Sequence, residues 1–227
     1  MEPFQAAFVD LLLRYEVLRF GDFTLKSGRR SPYFVNAGQF RTGDAIAGLG
    51  RAYAAQIAHH GLACDLVFGP SYKGVPLAVA TSMALAAGGR DVGYAFDRKE
   101  VKDHGEGGVF VGMTPAAGMN VVIVDDVITS GQSIREAVAC VRAAADVTVS
   151  GVVVAVDRQE RGKSERTTAT ELREELGVPI VPVVTIREVV QILHGKTVGD
   201  AVLVDDARRA AIEQHLAEHG GSERIGS

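Results

Sequence analysis

Two adjacent carboxylates, Asp125 and Asp126, close the apolar run Val121-Val122-Ile123-Val124, and Thr129-Ser130-Gly131-Gln132-Ser133 follows almost at once. Apolar run, acids, a short hydroxyl-rich loop with one glycine and then Ile134-Arg135-Glu136-Ala137 read as a buried strand, a turn and a helix. Hydroxyls and backbone N–H groups at a helix N-terminus suit a phosphate. Acids beside a phosphate cradle are an odd choice for anion binding alone. They make sense when the ligand also carries hydroxyls or a magnesium ion. Phosphate, diol and metal together describe a sugar phosphate such as 5-phosphoribosyl diphosphate (PRPP). Other readings stay open. Ser133 and Glu136 fit a capping box, which needs no ligand. An apolar strand ending in acid also fits the acidic strand of a P-loop nucleotide-binding protein, although the chain holds no G-x-x-x-x-G-K-[ST] loop.

Four further segments carry chemistry. Phe68-Gly69-Pro70-Ser71-Tyr72-Lys73-Gly74 is a second strand–loop–helix. Its loop is expected on the same edge of the sheet, where ligands of open α/β sheets bind. Two phosphate-type loops on one edge suit a substrate with phosphates at both ends; the plain alternative is a Gly/Pro turn with a surface lysine. Residues 98–118 hold Arg98, Lys99, Lys102 and His104 among clustered glycines. A long polar loop in a compact domain is usually functional or disordered. It reads either as a lid over an anionic ligand or as a solvated flap. Arg158, at the end of another strand, can hold a carboxylate in a bidentate fork or pair with a nearby acid. Lys26, Tyr33 and Phe34 fall in a turn-rich segment that could hood a flat heterocycle, or serve only as strand core and solvated lysine.

The elements that position these residues alternate. Helices are expected over 4–15, 45–57, 74–87, 132–145, 168–176 (with a Thr168/Glu171 capping box), 187–193 and 207–219. Strands are expected over 65–69, 92–96, 121–124, 147–156 and 180–184, and a hairpin outside the main core over 20–36. Such alternation predicts an α/β fold, a parallel sheet flanked by helices. The 227 residues favour one domain, 1–227, with a small N-terminal hood over about 1–40, a long mobile lid loop over 98–118 and a tail over 220–227. The formal net charge of −4 argues against a nucleic-acid partner. Cys64 and Cys140 lie in apolar settings without metal-ligand spacing, which suits reduced thiols. No membrane-length apolar run and no signal peptide are visible, so a soluble cytoplasmic protein is the expectation.

The stretch over 121–133 closely resembles the PRPP signature of type I phosphoribosyltransferases. Phe20-Gly21-Asp22-Phe23-Thr24-Leu25-Lys26-Ser27-Gly28, Ser31-Pro32-Tyr33-Phe34, Gly69-Pro70-Ser71-Tyr72-Lys73-Gly74, the lid Arg98-Lys99-Glu100-Val101-Lys102-Asp103-His104-Gly105-Glu106-Gly107 and Asp157-Arg158-Gln159-Glu160-Arg161-Gly162 resemble the orotate phosphoribosyltransferase family. The lid and the Lys26 hairpin are specific to that family; the PRPP signature is not. Val35 and Ser71 stand where Phe and Ala would equally fit, and residues from Lys196 on are the least recognisable. The resemblance implies transfer of phosphoribosyl from PRPP to orotate in pyrimidine synthesis. It implies catalytic roles for Lys102, His104, Asp125 and Asp126. PRPP would be bound by Tyr72, Lys73, Arg98, Lys99, Lys102, His104, Asp125, Asp126, Val127, Ile128, Thr129, Ser130, Gly131, Gln132 and Ser133. Orotate would meet Lys26, Phe34, Val35, Thr129 and Arg158. Mg²⁺ would be held mainly by substrate, with Asp125 and Asp126 nearby and no dedicated cage, and a homodimer would share its active sites. A purine phosphoribosyltransferase would keep 125–133 without needing the Arg158 fork or this lid. A non-catalytic PRPP-sensing regulator would lack the lysine-rich lid and need a basic nucleic-acid surface.

Overall fold

A computed structural model of the chain describes residues 2–25, 28–102 and 108–222, without the side chains of residues 99–102 and 108. Pro3 opens α1 (Pro3–Arg14), where a missing N–H removes no helical bond. Phe8, Val9 and Leu12 recur at helical spacing along α1 and are buried. β1 (Leu18–Thr24) and β2 (Arg30–Val35) then pair antiparallel as a separate two-stranded sheet, the expected hood. α2 (Gly43–His59) follows, capped by Thr42, whose hydroxyl accepts from the Ala45 amide.

The main body is built from β3 (Leu66–Phe68), α3 (Gly74–Ala87), β4 (Gly93–Lys102), β5 (Gly108–Gly112), β6 (Asn120–Val127), α4 (Gln132–Ala144), β7 (Thr148–Asp157), α5 (Thr168–Leu176), β8 (Ile180–Thr185) and α6 (Ile186–Leu193). A short pair, β9 (Thr197–Val198) and β10 (Ala201–Val202), precedes α7 (Asp206–His219). The sheet order is β5-β4-β3-β6-β7-β8. β3 and β6 lie side by side, so the loops after them meet at one edge.

The sheet is buried on both faces, which is why its strands read as near-continuous β-branched runs. Val122 and Val124 join Leu49, Tyr53 and Ile57 of α2 in one core cluster. Val121 and Ile123 join Ile134, Val138 and Val141 of α4 and Leu172 of α5 in the other. That alternation fixes the register: a slip by one residue would exchange the two faces. Truncating a fully buried Ile123 to alanine would cost about 2–5 kcal/mol. No helix among the described residues is long and apolar enough to cross a membrane.

Four local expectations are corrected. The sheet is not wholly parallel, since β5 runs antiparallel to β4 at the edge. Residues 98–118 are not a loop throughout: β4 continues to Lys102 and β5 spans Gly108–Gly112, because an edge strand tolerates charge that a central strand would not. β6 runs on to Val127, so both acids belong to the strand and are buried. Neither the expected Thr168/Glu171 capping box nor the alternative Ser133/Glu136 one forms. α4 is entered through a left-handed Gly131, and Ser133 bonds Asp125 instead. α5 is capped by Thr167, while Glu171 accepts from the Lys163 and Ser164 amides.

Candidate active site

The turn between β6 and α4 depends on Gly131. Its φ is 73°, and a Cβ there would fall 2.8 Å from Leu172 Cδ1, so both conformation and space call for glycine. Gly131 at the N-cap has no side chain to cap α4, and of the first-turn amides that of Gln132 donates to the Ser130 hydroxyl at 3.4 Å. Thr129, Ser130 and Gln132 are exposed there, whereas Ile128 is buried. Arg135 braces the turn from outside, donating to the Ser130 carbonyl at 2.8 Å while its other donors meet Glu175.

Asp125 and Asp126 are 5% and 7% exposed. Asp125 accepts from the Asp126 amide at 2.9 Å and from the Ser133 hydroxyl at 2.5 Å. Burial holds its carboxyl above the usual carboxylate range in spite of the Ser133 bond. Asp126 accepts from the Val127 amide at 2.8 Å and from Lys73 Nζ at 2.6 Å. That bond from Lys73 to Asp126 raises the lysine's pKa. The loop after β3 thus reaches the acids at the end of β6.

The β3 loop is drawn tight by Gly69 and Gly74. A Cβ on Gly69 would stand 2.0 Å from the Gly74 carbonyl oxygen, so strand end and helix start touch through bare backbone. The Ser71 amide donates to Asp97 Oδ1 at 2.7 Å, and Tyr72 is 69% exposed. Arg98 is half-buried on β4. Lys99 and Lys102 lie on the same strand without described side chains. His104 and Lys26 lie outside the described residues.

Beside the turn is a cleft of about 640 Å³ lined by Thr24, Leu25, Phe34, Ile128, Thr129 and Arg158, among others. Phe34, Thr129 and Arg158 meet there as the sequence suggested. Val35, next along β2, packs against the main core instead, as strand alternation dictates. Leu25 and Gly28, which flank the undescribed Lys26, are tied by a 2.9 Å turn bond. Arg158 is not idle: its Nη2 donates to Glu160 Oε1 at 2.5 Å, while its buried Nε has no acceptor among the described residues. Gln159 between them has φ 54°, a left-handed conformation unusual for a side chain, held by its amide's bond to Asp157 Oδ1 at 2.8 Å. Glu160 and Arg29 also line this cleft; the sequence placed Glu160 inside the Arg158 motif but gave neither residue a role.

A hydroxyl-bearing turn with a left-handed glycine after two buried acids, at a strand end of a sheet with helices on both faces, defines a class. The family model described as the phosphoribosyl transferase domain matches residues 36–187. The relatives narrow it. The orotate phosphoribosyltransferase of Nitrosococcus oceani is 49% identical over 86% of this chain and 89% of its own length. That of Halorhodospira halophila is 49% identical over 97% of this chain and 92% of its own. Among solved structures, the Francisella tularensis orotate phosphoribosyltransferase superposes with TM-score 0.81 at 34% identity, covering 95% of this chain and 100% of that one. The Mycobacterium tuberculosis enzyme in complex with PRPP superposes at 0.62 with 26% identity, covering 82% of this chain and 99% of that one. The chain belongs to the orotate phosphoribosyltransferase family.

Proposed function

We propose that the chain transfers the phosphoribosyl group of PRPP to orotate, giving orotidine 5′-monophosphate and pyrophosphate in pyrimidine synthesis. One observation carries the reading: the cleft that holds Phe34 and Arg158 also holds Ile128 and Thr129, so a base site runs unbroken into a phosphate turn. The backbone at Val127 and Ile128, and the groups of Thr129, Ser130, Gly131, Gln132 and Ser133, receive the 5′-phosphate. Asp125 and Asp126 engage the ribose hydroxyls. They favour the positive charge that grows at C1 as its bond to pyrophosphate breaks and its bond to the orotate nitrogen forms. Tyr72, Lys73 and Arg98, with Lys99, Lys102 and His104, offset the charge that pyrophosphate gains with the bonding electrons. Preorganised charge of this kind is commonly the largest catalytic contribution. Phe34 and Thr129 hold the ring of orotate, with Lys26, and Arg158 holds its carboxylate.

Among the described residues no group of three or more His, Cys, Asp or Glu side chains forms a metal cage. Two carboxylates still fit Mg²⁺, which keeps most of its oxygens from substrate and water. Asp125 and Asp126 are the ones at hand, and the ion would neutralise the diphosphate.

We also read the chain as one domain, residues 1–227, working in the cytoplasm as a homodimer whose lids serve the partner's sites. Met83, Tyr94 and Met113 support the dimer, as large apolar side chains exposed on α3 and along the β4–β5 edge that carries the lid. The direct test of the activity is to incubate the protein with orotate, PRPP and Mg²⁺. Orotidine 5′-monophosphate and pyrophosphate should appear in equal amounts and stop with EDTA. No nucleotide at saturating substrates would contradict the reading.

A further inference from the structure

Glu160 is the hub of a cluster that reaches from the base cleft into the C-terminal helix. Its carboxylate meets Arg158 Nη2 at 2.5 Å, Arg29 Nη1 at 3.4 Å and His215 Nε2 at 3.4 Å. A carboxylate only accepts, so His215 Nε2 must carry the proton it donates. The His215 side chain is 5% exposed and packs edge-on against Tyr33, with ring centroids 5.7 Å apart. The Tyr33 hydroxyl in turn donates to the Arg158 carbonyl at 3.4 Å. The end of α7 is tied to the same loop, since the Arg161 amide donates to the His219 carbonyl at 2.8 Å and the Gly221 amide to the Gln159 carbonyl at 3.1 Å.

A half-buried ion pair is weak evidence for a stabilising role, because desolvation offsets its attraction. Its geometry points elsewhere. Glu160 takes one end of the guanidinium and the buried Nε has no acceptor among the described residues, so the fork is held with donors to spare. The cleft is lined by Arg29, Arg158 and Arg161 against Asp157 and Glu160, an excess of positive charge that suits an anionic base.

We propose that Glu160 and His215 are positioning residues: His215 orients Glu160, and Glu160 fixes Arg158 to receive the carboxylate of the base. The proposal rests on the orotate reading. α7, remote in sequence from every phosphate loop, would thereby serve as the back wall of base recognition.

The test compares His215→Leu, which removes the donor, with His215→Gln, which returns one near Nε2. Wild type, assayed first, must make orotidine 5′-monophosphate; if it does not, the orotate reading falls and takes this one with it. His215→Leu should raise KM for orotate about tenfold, the scale on which loss of an orienting partner acts. KM for PRPP should stay at the wild-type value, and His215→Gln should restore most of the orotate affinity. An active wild type with an unchanged orotate KM in His215→Leu would overturn positioning alone. So would an equal rise in both KM values, or equal behaviour of the Leu and Gln variants. Should His215→Leu not fold, Glu160→Gln decides. A raised orotate KM is expected, and an unchanged or lowered one would show that Glu160 does not position Arg158.

Discussion

Both oxygens of Asp126 are engaged, one by the Val127 amide and the other by Lys73, whose side chain is 70% exposed. Asp126→Asn keeps the shape and removes the charge. Asp126 is buried while Lys73 stays solvated, so losing the charge should cost about 1–3 kcal/mol and lower the denaturation midpoint without unfolding the protein. Losing one group that favours transition-state charge typically takes about 10²–10³ off turnover. Kinetics beside a urea titration checks both, and normal turnover would reduce the acids to strand-end decoration. Asp125 makes a different prediction. Its raised pKa means that the fold disfavours the charged form, so the stability present while it is protonated is lost as pH rises through the folded pKa. The always-neutral Asp125→Asn should therefore be at least as stable as wild type at neutral pH, with that advantage shrinking on acidification while activity falls. Denaturant midpoints across pH measure it; an advantage that grows in acid would contradict the sign. The acids and Arg158 were legible from residue type at the ends of apolar runs. The partnership of Glu160 with His215 was not, because it joins residues 55 apart through tertiary packing.

At the scale of elements, hydrophobic period gave the sheet strands and most helices, since burial on two faces writes continuous apolar runs. Caps were harder to read. The Ser133/Glu136 spacing was present, but the helix starts at Gln132 after a left-handed Gly131, and Ser133 bonds Asp125 instead of capping. Gly131→Ala should thus strain the turn twice, by its φ of 73° and by contact with Leu172. Backbone strain of this kind costs about 1–3 kcal/mol. Weaker PRPP binding beside a lower melting temperature is the expected outcome; a variant matching wild type in both would show that the turn tolerates a side chain. The polar composition of 98–118 hid the extension of β4 and the whole of β5, because charge is permitted at a sheet edge. The lid joining them is expected to close on substrate. Trypsin should cut at Lys99 or Lys102 in the free protein and be slowed by PRPP, Mg²⁺ and an orotate analogue together. Cleavage equally fast with and without ligands would count against closure.

At the scale of the whole molecule, the cleft at Arg158, the β6–α4 turn and the β3 loop gather along one edge of the sheet, while Lys102 ends β4, the strand that carries the exposed Tyr94. If lids are exchanged between subunits, mixing Lys102→Ala with Asp126→Asn should rescue one site in each mixed dimer. With random exchange of equal amounts, half the dimers are mixed and roughly a quarter of wild-type activity should return. Demonstrated exchange without rescue would mean that each lid serves its own subunit. On the proposed reading, one cleft takes a base carrying a carboxylate and delivers it to a phosphoribosyl donor. The most direct test is kcat/KM for orotate against uracil, in wild type and in Arg158→Ala. A site built to bond a group can reject an analogue lacking it by about 10⁴ or more. Wild type should prefer orotate on that scale, and Arg158→Ala should lose most of the preference by losing orotate. Equal rates with the two bases in wild type would contradict the account.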